Sequence, residues 1–196
     1  MTRGALRLLG CALLAGCAAP VDNAADPSAA FPARVEGFER VEVVPAGHGR
    51  LGVMAGYQSI GTPGGGDPVP VAATVHVHAP RAGDSMLPAL DRMADPAAVA
   101  AADLVLSEAQ VHRFYPQARV LREAAAFLVQ GGAFRPGRRA LIAFDEKRDG
   151  AVQPMQMAIY TFCCDRAGML HEYRFRYAAD AGPDLAIAAF MRALAW

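Results

Sequence analysis

The chain has 196 residues and a mass of 20.6 kDa, enough for one domain with a hydrophobic core and short for two. Hydrophobic residues make up 54% and charged residues 19%, which excludes a wholly disordered chain, and no apolar run reaches the roughly 18 residues of a spanning helix. The formal charge is +0, with Lys147 the single lysine among the basic residues, so no bulk field draws the protein to nucleic acid and no such partner is expected.

At the start of the chain, Arg3 and Arg7 precede an apolar stretch from Leu8 to Gly16. A helix that short covers roughly 14 Å of a hydrocarbon core about 30 Å thick, so it reads as a secretory signal instead of a span. Within it, Leu14-Ala15-Gly16-Cys17 resembles the lipobox of bacterial lipoproteins, a leucine and two small residues before a cysteine. That resemblance implies a signal peptide over residues 1–16, cleavage before Cys17, a diacylglycerol on its sulfur and an acylated amino group. The chemistry fits each position: small residues let extended backbone lie in a peptidase cleft, and a cysteine supplies the thiolate that accepts the lipid. Several acyl chains hold a domain on a bilayer far more firmly than one. The alternative is an ordinary small-residue cleavage site with Cys17 as a free thiol. Because Ala18 follows where some lipoproteins retained at the inner membrane carry aspartate, the resemblance favours the outer membrane, facing the periplasm. Loss of Arg3 and Arg7 leaves the mature chain slightly acidic.

Residues 17–33 contain Pro20, Pro27 and Pro32 among Asp22, Asn23, Asp26 and Ser28, with no apolar periodicity. They are expected to form a flexible tether, leaving a single domain over 34–196. In that domain Phe38 to Val44 alternates as a strand with Val41 and Val43 inward, and pairs as a hairpin with 51–57, where Leu51, Val53, Ala55 and Tyr57 share a face. The glycine-rich 61–68 is a loop that lacks the Gly-Lys-Ser or Gly-Lys-Thr of a phosphate loop. Next, Val71 to Ala79 alternates, with Thr74, His76 and His78 on one face. A first helical turn is expected over 86–93, limited by Pro88. Asp95-Pro96 then signals the start of a helix over 97–113, ended by Pro116, in which Glu108 and His112 can pair.

Three or four strands complete the sheet. Residues 118–122 and 124–129 stand between helix, which their alanines favour, and extended chain, which the flanking Pro116 and Gly131-Gly132 favour, and read as strand; 138–144 follows; 153–164 and 169–177 flank a four-residue loop at Asp165 to Gly168. In the last strand His171 falls on the aromatic side with Tyr173, Phe175 and Tyr177, while Glu172, Arg174 and Arg176 form a charged side. A helix opens at Pro183-Asp184, and Ile187, Phe190, Met191 and Leu194 place it across the sheet. The fold class is α+β, an antiparallel sheet of about six or seven strands covered by a central and a C-terminal helix.

By the lipobox resemblance Cys11 would leave with the signal and Cys17 would carry lipid, which leaves Cys163 and Cys164. Their α-carbons should lie about 3.8 Å apart, below the roughly 4.4 Å minimum of ordinary disulfides, so two small hydrophobes in a buried strand are expected, a redox or metal pair being the alternative. His76 and His78, about 6.6 Å apart on one face, are spaced as two zinc ligands can be. No third ligand can be set beside them from His48, His112, His171 or a carboxylate, so imidazoles on the wetter face of the sheet are expected, with no metal and no cofactor. His171 is expected to be a hydrogen-bonded core histidine.

From Phe38 onward the chain resembles small secreted proteobacterial proteins and, more loosely, the PsbP/DcrB-like periplasmic domains. The residues that carry this are Gly37-Phe38, Tyr57, 73–78, 160–164 and 190–196. None is a catalytic signature, and the resemblance implies an accessory or binding role with an envelope protein or small ligand as partner. The rival is an envelope metal-binding protein or hydrolase using His76 and His78, with Cys164 or His171 added.

Overall fold

The computed structural model describes residues 31–45, 52–60, 70–79, 95–130, 132–148, 150–165 and 168–194. The signal, Cys17, most of the tether, His48, the glycine-rich loop and the helical turn expected over 86–93 lie outside the described residues.

An open antiparallel sheet carries the whole domain. Its strands are β1 (Arg34–Val35), β2 (Phe38–Pro45), β3 (Gly52–Ser59), β4 (Val71–His78), β5 (Arg119–Gln130), β6 (Ala133–Arg148), β7 (Ala151–Phe162) and β8 (Leu170–Ala178). They are ordered β1-β2-β3-β4-β8-β7-β6-β5, so β8 enters beside β4 and joins two meanders. The class is α+β as expected, but the sheet has eight strands among the described residues, not six or seven. The additional one is β1, whose two residues are too few to show any alternation.

Helix α1 (Pro96–Phe114) begins where Asp95 accepts a hydrogen bond from the Ala97 amide at 2.9 Å, with Pro96 in the first position where its missing N–H costs nothing. It crosses β6 and β7, burying Leu104 and Val111 against Ala140, Ile142, Phe144, Met157 and Ile159. On the opposite face lies α2 (Asp184–Ala193), which inserts Ile187 and Phe190 among Phe38, Tyr57, Val75, Tyr173 and Phe175. The Phe190 ring meets Phe38 at 4.8 Å, Tyr57 at 5.1 Å and Phe175 at 5.6 Å, each edge-on as ring quadrupoles prefer.

One inward assignment is corrected. Val43 packs against the core, but the ladder slips between Arg40 and Glu42, and the bulged Val41 is 62% exposed. Further along, Phe31 is buried in the core; its carbonyl accepts a hydrogen bond from Arg40, and the Tyr57 hydroxyl donates to the Pro32 carbonyl at 3.1 Å. Among the described residues, the core therefore extends back to Phe31.

Candidate functional site

Alternation along β4 sends Val71, Ala73 and Val75 towards α2 and His76 and His78 towards α1. The register sets His76 opposite Glu172 and His78 opposite Leu170 on β8, so the imidazoles and the carboxylate share a face. Helix α1 covers that face. Asp103 and Ser107 lie four residues apart, one turn above another, and interrupt an otherwise apolar buried stripe.

The result is a closed polar cluster. His78 and Glu172 are each 1% exposed and Asp103 is 5% exposed. Ser107 Oγ donates to Glu172 Oε2 at 2.5 Å, Arg174 Nε donates to Glu172 Oε1, and Arg174 Nη2 donates to Gln110 Oε1 at 2.8 Å. Burial alone would raise the Glu172 carboxyl, but the Arg174 and His76 charges and the hydrogen bonds from Ser107 and Arg174 outweigh it and hold the group well below the usual carboxylate range. His78 Nδ1 lies 3.0 Å from the Ala79 carbonyl, and Nε2 lies 3.7 Å from Asp103 Oδ1. One donor atom each from His78, Asp103 and Glu172 falls within 4.8 Å of the others.

These positions revise the expectation for the histidines. His78 is not on a wetter face; α1 seals it in, and only His76 is partly exposed. His171 pairs with Val77 in the ladder and so points to the other side of the sheet, away from His76 and His78. It behaves there as a hydrogen-bonded core histidine, with Nε2 2.9 Å from Asp165 Oδ2. Burial lowers its pKa to about 4, against the opposing pull of Asp165. His112, in the last turn of α1, is exposed.

Cys163 and Cys164 differ from expectation in two ways. Strand β7 ends at Phe162, before them, and their sulfurs are joined as a vicinal disulfide. The trans spacing assumed for adjacent residues does not apply, because their peptide is cis and the α-carbons are 3.0 Å apart.

Sequence reasoning missed Asp103, Ser107 and Glu172. The signal that was present is the polar pair at 103 and 107 within the apolar stripe of the helix. Alternation set Glu172 on a charged side but says nothing of what covers that side.

No protein-family model and no curated protein matches the chain. Among solved structures, PA94 of Pseudomonas aeruginosa, a protein of unknown function, is similar at 12% identity with a TM-score of 0.39, over 76% of this chain and 83% of that one. LpqN of Mycobacterium tuberculosis, involved in cell envelope biogenesis, is similar at 14% identity with a TM-score of 0.36, over 79% of this chain and 88% of that one. Likeness at this level carries no functional argument.

Proposed function

We propose that the protein is a lipid-anchored component of the bacterial cell envelope, a non-enzymatic binding or accessory domain held to the outer membrane through Cys17 and facing the periplasm. The observation that carries this reading is Leu14-Ala15-Gly16-Cys17 placed directly after a basic and then apolar leader. The proline-rich residues that follow can span up to about 50 Å when extended, which would let the domain reach a partner clear of the bilayer. Phe31 and Pro32, fixed by Arg40 and Tyr57, give such a tether a firm point of attachment.

The hydrolase reading of His76 and His78 loses support from their surroundings. His78 is 1% exposed beneath α1, so a substrate has no approach to its imidazole without displacing the helix. Radiolabelled palmitate fed to the producing bacterium tests the proposal. Label should enter the wild-type protein and vanish in Cys17→Ser, with the variant released from the membrane fraction; equal labelling of the two would refute the assignment.

A further inference from the structure

We infer that His78, Asp103 and Glu172 form a binding site for a divalent first-row transition cation of the zinc class. The inference stands on the geometry of the domain and is independent of the lipid anchor.

Three donor atoms come from β4, α1 and β8, which are distant in sequence, and meet within 4.8 Å inside the protein. The tautomer of His78 follows from its neighbour. A carbonyl oxygen only accepts, so the 3.0 Å contact with Ala79 puts a proton on Nδ1 and leaves Nε2 as the ring atom that faces Asp103. Metal-bound histidines are oriented in this way by a carbonyl behind the ring.

Distance then separates the two cations that could sit between His78 and Asp103. A proton on Nε2 would draw the pair to about 2.8 Å, the length of a charge-assisted hydrogen bond. The observed separation is 3.7 Å, too long for that bond. Two ligands on a tetrahedral zinc at about 2.1 Å stand about 3.4 Å apart, much nearer the observed gap. Glu172, whose donor atom lies within 4.8 Å of the other two, is the third ligand of the set.

Charge and chemistry agree. Two carboxylates in one buried pocket repel each other, and a divalent cation bound between them would relieve that repulsion. One imidazole with two carboxylates suits zinc or its first-row neighbours better than calcium or magnesium, which favour all-oxygen sites. Ser107 and Arg174 hold the Glu172 oxygens and Gln110 holds Arg174, an outer layer that fixes the ligand. Three protein ligands leave a coordination position for water or a small ligand.

The test uses the chelator-stripped full chain, zinc chloride and cobalt chloride. One zinc per chain should bind, raise the melting temperature more than magnesium does, and bind at least tenfold more weakly in Asp103→Asn and Glu172→Gln but not in His112→Gln. Cobalt should give the visible absorption of a tetrahedral nitrogen and oxygen site in the wild-type protein, a readout that requires no variant to fold. Folded wild-type protein that takes up no zinc and shows no cobalt bands would overturn the inference. So would zinc binding of equal strength in folded Asp103→Asn.

Discussion

Tyr57 joins the two ends of the core's logic at a single residue. Its ring packs against Phe190, and its hydroxyl donates to the carbonyl of Pro32, outside the strands. Burial raises its pKa to about 12 despite the nearby Arg40, and burial does the same for Tyr177, aided by Asp184 and Tyr160. Both folded values lie above the ordinary phenol value of about 10, so the folded state holds these protons more tightly than the unfolded state. Their contribution is fully present below about pH 10 and is lost as pH rises towards about 12. Alkaline titration followed by circular dichroism and tyrosinate absorbance should show unfolding in that window. Tyr57→Phe removes one of these groups and should shallow the alkaline loss, at a cost of about 1 kcal/mol near neutrality for the missing hydrogen bond; an unchanged alkaline slope would contradict this. At the same scale, the partial legibility of the site has a clear cause. His171 was readable because strand alternation assigns a face and a core histidine requires a partner, here Asp165. Glu172, the next residue, was not, because its burial depends on where α1 docks, and that is decided by non-local contacts.

Elements show where local propensity gives way to pairing. The alanines of β5 favour helix, yet β5 pairs with β6 from Arg119 to Gln130, with one register shift between Val120 and Arg122, and Ala126 and Leu128 are buried in the core shared with α2. Strand β6 likewise extends past the readable 138–144 to take in Pro136 and Gly137. Pro136 is tolerated because the ladder with β7 starts only at Gly137, leaving Pro136 with β5 alone as a neighbour. Gly137 is required for a different reason. A Cβ there would run into the Thr161 carbonyl and the Phe162 ring, so the two strands approach closely only without a side chain. Gly137→Ala should therefore destabilise the domain by about 1 to 3 kcal/mol in urea unfolding, the usual range for overpacking. Stability equal to wild type would show that β7 yields easily at Thr161. The helices were the most legible elements, because Asp95-Pro96 and Pro183-Asp184 mark their starts chemically. Val41 was misassigned because a bulge reverses the strand's phase without leaving any mark in the alternation.

For the whole molecule, α1 and α2 cover opposite faces of one sheet, and the two faces differ in character. The α2 face is an aromatic core, whereas the α1 face holds apolar residues over β6 and β7 and a polar cluster over β4 and β8. No helix among the described residues is long and apolar enough to cross a membrane. The proposed attachment to a bilayer by way of Cys17 rests on the resemblance of residues 14–17 to a lipobox. The most direct measurement is mass spectrometry of the native protein extracted from bacterial membranes. The account predicts a chain that begins at Cys17 and carries a diacylglycerol and an amide-linked fatty acid; an unmodified amino terminus on protein from the soluble fraction would contradict it.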